Sequence, residues 1–403
     1  MSRVVIDQPY EFVPPHKGGL LPRMLGNLLL PRTLDRSFGV TSARVEGQEK
    51  IREAQRAGHG ILITPNHPHA ADPLTLFHLS QATGSLFYVM ASWHLFMEGA
   101  MQRFLIRTMG AFSIYREGID RSSLQFAMEV LESGDRPLVI FPEGAVTRTN
   151  DLLSLLMDGV STIARGAARK RAKSDGGKVL LFPLALRYRL EAPVEEAIEP
   201  ALQEMEERLS WKPQNQLPML ERVRKVARAL LGLKEIEFLG EVQSGDLFER
   251  SARLIDYLLH PLEEEWLGGP QEGDVVKRGK DLRSTILKGM VSGKDDIDEE
   301  ERDRRWKQFR ALELAQKISL YPRGYLSENA PADRFLETVE RLEEDFIGKA
   351  RRYAPRSVTL TVCDPLEVSP DKETAESVPL MDQLEERLEE TLGIEQLEFG
   401  SGK

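Results

Sequence analysis

GILITPNHPHAADP, residues 60–73, is the stretch on which the reading of this chain turns. Its first part is short, apolar and β-branched, and Pro65 closes it, which predicts a buried strand running into a turn. That strand delivers His67 at its carboxyl end, and Asp72 follows five positions on. An imidazole titrating near neutral pH is the natural general base for activating a hydroxyl. A carboxylate on its other ring nitrogen fixes the tautomer and stabilises the imidazolium. At this spacing alone, a purely structural His–Asp pair accounts for the residues equally well.

Strand and helix alternate around this stretch. ARVEG (43–47), FYVMAS (87–92), FSIYRE (112–117), PLVIFPEG (137–144) and KVLLFPLALRY (178–188) read as strands. Residues 48–57, roughly 120–133 and 151–172 read as helices. This predicts an α/β fold, a mostly parallel sheet flanked by helices. From 191 to 355 the β-rich runs stop and apolar residues take helical spacing. Phe335, Val339, Leu342 and Phe346 form one stripe; Phe248, Ala252, Ile255 and Leu259 form another. The charged stretch 294–318 opens with Asp298 three residues before Glu301, the pattern of a capping box, and its mixed charge suits a solvated helix face. No internal repeat is visible. SVTLTVCDPLEV (357–368) restores an alternating strand, and Leu384, Leu388 and Leu392 share one face of a last helix. The division expected is an N-terminal segment (1–42), an α/β domain (43–190), a large helical insertion (191–355), and a closing strand and helix of the α/β domain (356–403).

The 403 residues carry a net charge of -10, so the chain has no general attraction for nucleic acid. With Cys363 alone, no internal disulfide framework exists. No basic-then-apolar leader and no apolar run of about 20 residues is present. The expectation is a cytoplasmic protein, with a peripheral contact on the inner face of the membrane left open. GGLLPRMLGNLLLPRTL (18–34) bears on that contact. Leu21, Met24, Leu25, Leu28 and Leu29 fall on one helical face, Pro22 suits the first turn and Pro31 the stop, and Lys17, Arg23, Arg32 and Arg36 flank it. Such a helix lies in a membrane interface or packs its apolar face on the rest of the protein; the second is the default.

Three further blocks follow in order: GAFSIYR (110–116), FPEGAVTR (141–148) and LLFPLAL (180–186). Each sits at a strand, where a glycine lets backbone approach a ligand and an arginine forks onto phosphate oxygens. The ordered set resembles the lysophosphatidic acid and glycerol-3-phosphate acyltransferase superfamily over about 43–190, and VEGQEKIREAQRAGHGILITPNH (45–67) looks like its lead-in. The resemblance implies that His67 and Asp72 are the catalytic pair, with Asn66 beside them. It gives Gly110 and Arg116 to a block used for the acceptor's phosphate. Phe141, Pro142, Glu143 and Gly144 match a third block and Pro183 a fourth. Acceptor contacts then fall to Arg116, Glu143, Gly144 and Arg148. The activity implied is transfer of a fatty acyl group from acyl-CoA or acyl-ACP to a hydroxyl of a 1-acylglycerol-3-phosphate-like acceptor, with no metal and no bound cofactor. Two departures remove positive charge near that acceptor: Val146 stands where the family commonly has an arginine, and Asp158 where it commonly has a lysine.

Other readings compete. A catalytically silent lipid-binding or scaffold protein would keep the fold without turnover. A metal-dependent hydrolase would use His67, His69 and Asp72, although metal sites draw three or more ligands from separate segments. The basic run 164–174 is either a solvated helix end or a patch for lipid headgroups, coenzyme A phosphates or an acyl carrier protein. Trp93, Phe96, Met97, Met101 and Phe104 are either core or the lining of an acyl groove.

Overall fold

The computed structural model describes residues 8–118, 120–174, 177–212, 214–291, 297–371 and 378–394. The ends of the chain, and residues 294–296 at the head of the charged stretch, lie outside these. Helix α1 (Leu20–Phe38) leads into β1 (Val40–Glu46), α2 (Gln48–Arg56), β2 (Gly60–Pro65), α3 (Asp72–Thr83) and β3 (Tyr88–Ser92). A 3-10 turn, Trp93–Phe96, then precedes α4 (Ala100–Thr108), β4 (Ala111–Ile114), α5 (Arg121–Ser133), β5 (Leu138–Val139), α6 (Gly159–Lys173) and β6 (Val179–Leu190). Among the described residues six helices follow: α7 (Val194–Arg208), α8 (Met219–Leu239), α9 (Leu247–Leu267), α10 (Val275–Val291), α11 (Glu299–Ser319) and α12 (Ala332–Ile347). The chain then forms β7 (Arg356–Val362), β8 (Leu366–Glu367) and α13 (Leu380–Leu392).

Among the described residues the strands form one eight-stranded sheet in the order β1-β7-β6-β2-β5-β3-β4, with β8 also against β6. β6, β2, β5, β3 and β4 run parallel. β7 returns from the helices to pair antiparallel with β6 and parallel with β1, so it lies inside the sheet and not at its edge. One face is covered by α5, α6 and α13 through Leu131, Ile163 and Leu388, the other by α1, α2 and α3 through Leu34, Ile51 and Leu79. β2 is buried along its whole length, as expected of a central strand between two helical layers.

Two helices differ from the sequence reading. Residues 151–158 form a loop and α6 begins at Gly159, because the Pro142 carbonyl and the Glu143 carboxylate draw in the backbone of Met157 and Ser154. α1 does not stop at Pro31 but runs through it to Phe38. Its packed seam is Pro22, Gly26, Leu30 and Leu34, where a β-carbon at Gly26 would fall 2.3 Å from the Phe77 ring. That close approach turns the leucine-rich face outward: Leu20, Met24 and Leu28 are exposed. The default expectation, that this face packs inward, is therefore corrected.

The helical region also contains a repeat that its apolar pattern conceals. A buried glutamate near the end of one helix accepts the backbone N–H of a glutamine eight residues on and meets an arginine early in the next helix through both oxygens. The sets are Glu206, Gln214 and Arg222 across α7 and α8; Glu235, Gln243 and Arg250 across α8 and α9; and Glu263, Gln271 and Arg278 across α9 and α10. Each glutamine amide donates back to the carbonyl two residues before it. The capping box is complete on α9 (Asp246 and Glu249), whereas Asp298 of α11 caps the Glu301 N–H at 2.8 Å.

Breaking a buried ion pair leaves an uncompensated interior charge and costs about 3–5 kcal/mol, whereas an exposed pair is worth under about 1 kcal/mol. Glu235→Ala is therefore expected to shift the denaturant midpoint strongly. Glu237→Ala, which loses only the exposed partner Lys234, is expected to leave it nearly unchanged when the two are unfolded side by side.

Candidate active site

The site is built where β2 ends. Pro65 stops the strand, while its neighbour β6 runs on to Leu190, leaving backbone groups of β6 unpaired on that side. Asn66 replaces the missing strand: its amide donates to the Leu186 carbonyl at 3.0 Å and accepts the Leu186 N–H at 2.7 Å. Asn150 clamps Tyr188 in the same way, accepting its N–H at 2.8 Å and donating to its carbonyl. Buried backbone groups left unpaired are costly, so these two amides fix the end of β6 beside His67.

Asp72, the first residue of α3, is fully buried. Its Oδ2 lies 2.8 Å from His67 Nδ1 and accepts the His69 N–H at 2.9 Å. Its Oδ1 accepts the Tyr188 hydroxyl at 2.5 Å. Burial pushes the Asp72 carboxyl above the usual carboxylate range, and these donors oppose the shift. Burial and the adjacent Asp72 charge push the Tyr188 phenol far up, so it remains a donor. With Nδ1 directed at the carboxylate, Nε2 of His67 is the basic nitrogen. The His67 side chain is 13% exposed.

The 141–149 segment wraps His67 from the other side. The Phe141 ring stacks on the imidazole at 4.1 Å. Glu143 accepts the His67 N–H at 2.6 Å and the Ser154 N–H at 2.8 Å, while Thr147 donates its N–H to the His67 carbonyl at 2.9 Å. Burial raises Glu143 to about 7. Gly144 sits at φ +69°, and a β-carbon there would fall 2.1 Å from the Met157 methyl and 3.9 Å from Arg116 Nη2. Arg116 at the end of β4 therefore faces the Glu-Gly turn. Gly110 makes the turn into β4, and Pro183 lies within β6 opposite Thr64 of β2.

Other residues singled out in the sequence are placed differently. Arg148 pairs with Glu344 of α12. His69 is buried, its Nδ1 accepting the Ala71 N–H at 3.1 Å. His67 Nδ1 and Asp72 turn toward each other and not toward a common centre, and among the described residues no cluster of three or more His, Cys, Asp and Glu side chains is arranged to hold a metal ion. The basic run of α6 lies at the far end of β2: Arg171 turns inward to the carbonyls of Leu131, Glu132 and Gly58, about 20 Å of strand away from His67. Trp93 and Phe96 are core, whereas Met97, Met101 and Phe104 are exposed. A hollow of about 430 Å³ lined in part by Gly19, Arg23, Gly84 and Arg136 lies at the opposite end of the sheet from His67.

Tyr188 and Asn150 escaped the sequence reading. Both act through β6 on residues more than a hundred positions, or nearly forty, away, and no local spacing signals such pairing.

The arrangement joins a buried carboxylate, a partly exposed imidazole and a glycine turn faced by Arg116, a set suited to deprotonating a hydroxyl beside an anionic group. The acyltransferase family profile matches residues 42–187, from β1 nearly to the end of β6. Over this stretch, and not over the helical region, the chain is similar to the acyltransferases of the glycerolipid type. A search of curated proteins finds no match. Among the described residues no helix is long and apolar enough to cross a membrane.

His69 tests the electrostatics of this site. Burial first, and then the Arg356 charge, hold it down to about 3, against 6.5 for the free side chain. Below pH 6.5 the unfolded chain therefore takes up a proton that the folded one refuses, and stability falls as pH drops toward 3, by at most about 1.4 kcal/mol per pH unit from this group. Denaturation of the wild type and His69→Gln between pH 4.5 and 7.5 is expected to show the shallower pH dependence in the variant.

Proposed function

We propose that this protein transfers a fatty acyl group from an acyl thioester, acyl-CoA or acyl-ACP, to a hydroxyl of a 1-acylglycerol-3-phosphate-like acceptor, with His67 as general base oriented by Asp72. The observation that carries this reading is the 2.8 Å contact from the buried Asp72 to Nδ1 of an imidazole that is itself partly exposed. In this reading Nε2 takes the proton of the acceptor hydroxyl as its oxygen attacks the thioester carbonyl carbon. The tetrahedral intermediate collapses with cleavage of the C–S bond, and the proton passes from the imidazolium to the departing thiolate. The products are an ester and a free thiol carrier, and atoms and charge balance without metal or cofactor.

The Glu143 bonds to His67 and Ser154 give it the role of shaping the turn, with Gly144 left small beside Arg116 for the acceptor. Arg148, engaged by Glu344, would reach an acceptor only by exchanging that partner. The exposed apolar face of α1, with Arg23, Arg32 and Arg36 along the helix, supports a peripheral contact with an anionic membrane surface on the cytoplasmic side. The exposed Met97, Met101 and Phe104, beyond the end of β3 nearest His67, support an acyl-chain surface.

Thiol release from acyl-CoA and acyl-ACP is measured with lysophosphatidic acid, glycerol-3-phosphate and unphosphorylated lipid alcohols, for wild type and His67→Ala. The expected result is acceptor-dependent release that drops at least about 100-fold in the variant. Equal release by both would overturn His67 as the base, and none with any pair would move the assignment to a non-catalytic lipid-binding protein.

A further inference from the structure

Arg116 and Arg283 differ from the interior arginines that carboxylates neutralise. Arg222, Arg250, Arg278, Arg351 and Arg356 each meet a carboxylate. Arg116 is partly buried, and among the described residues no hydrogen bond or ion pair engages its guanidinium. Arg283, on α10, is also partly buried; its Nη1 donates to the neutral amide of Gln316 on α11 at 2.7 Å. Glu313, one turn before Gln316, is taken by Lys317 at 3.2 Å.

The helical region docks on the end of β4 through the residues next to these two arginines, Tyr115 before Arg116 and Leu282 before Arg283. Tyr115 packs against the apolar cluster of α9, α10 and α11, and the next residue is Arg116, whose Nη2 faces Gly144. Burial and the Arg116 charge pull the Arg283 guanidinium down to about 10. Burial lowers Arg116 as well and pushes the Glu117 carboxyl up against the pull of the two arginine charges, and among the described residues Glu117 forms an ion pair with neither. Two partly buried like charges with no carboxylate in direct ion-pair contact are unfavourable until an anion joins them.

We propose that Arg283 and Arg116 together form a two-arginine site for a phosphate ester, the helical region supplying the cation that Val146 and Asp158 withdraw from the α/β domain. This rests on the reading of the site as an acyl-thioester transferase. The phosphate belongs either to the acceptor or to the carrier of the thioester, since both present phosphate oxygens that a guanidinium fork binds.

The full-length protein carrying His67→Ala binds without turnover, and calorimetric titration with glycerol-3-phosphate and, separately, with coenzyme A compares Arg283, Arg283→Gln and Arg283→Lys in that background. Arg283→Gln is expected to weaken one of the two ligands roughly 10-fold, and Arg283→Lys to recover part of it. A change confined to glycerol-3-phosphate assigns the pair to the acceptor, and one confined to coenzyme A to the donor. If Arg283→Gln does not fold, Arg283→Lys, which keeps the charge and loses the fork, carries the comparison with a smaller loss of the same ligand. Equal binding of both ligands by folded variants, or no binding by the Arg283-intact protein, overturns the proposal. Absence of turnover in the His67-intact protein would instead count against the transferase reading and leave the binding result standing.

Discussion

Everything around His67 is arranged to keep one carboxylate comfortable in the interior. Asp72 has no exposed surface, and a bare charge there would be heavily penalised. It is held by a ring nitrogen, a backbone N–H, a phenol and its place at the N-terminus of α3, where the helix dipole favours negative charge. Those partners come from the turn after β2 and from the far end of β6, so the carboxylate is satisfied only when the two strands are in register. The Asn66 and Asn150 clamps secure that register beyond the point where β2 stops. The geometry proposed for a base is thus the same geometry needed to bury a charge.

The helical region is tied to this end of the sheet by contacts of the same kind. Arg356 of β7 meets Glu340 of α12 at 2.8 Å, Asp333 accepts the Leu190 N–H at 2.8 Å, and Arg334 pairs with Asp151. These join α12 to β6, to β7 and to the loop that follows the Glu-Gly turn. Within the region, the recurring glutamate–glutamine–arginine linkages hold successive helices at a fixed spacing, so α9 to α11 can present a surface to the end of β4 without contributing a strand.

Much of this was legible in the sequence. The run Gly60–Pro65, the turn that follows it and the Phe141–Gly144 block reflect local rules: β-branched apolar residues, proline punctuation and a glycine whose positive φ the turn requires. What escaped depends on distance. Tyr188 read as one more strand residue until the register of β6 brought it to Asp72. The leucines of α1 read as a packing face because hydrophobicity was weighed, whereas Gly26 against Phe77 decides the orientation. The helical repeat was hidden because its constant elements are polar residues: a glutamate near a helix end, a glutamine in the turn and an arginine early in the next helix. Arg283 is one of many basic residues in its region, and only the docking of the neighbouring apolar cluster on Tyr115 sets it apart.

The most direct test of the account is Asp72→Asn, assayed for acceptor-dependent thiol release together with its thermal midpoint. If the buried carboxylate fixes the tautomer of a His67 base, the amide should reduce the rate by roughly 10⁴-fold in protein that still folds, as expected when a base is held in the wrong tautomer. A folded Asp72→Asn protein that works within about tenfold of wild type would contradict it, leaving Asp72 with a structural role alone.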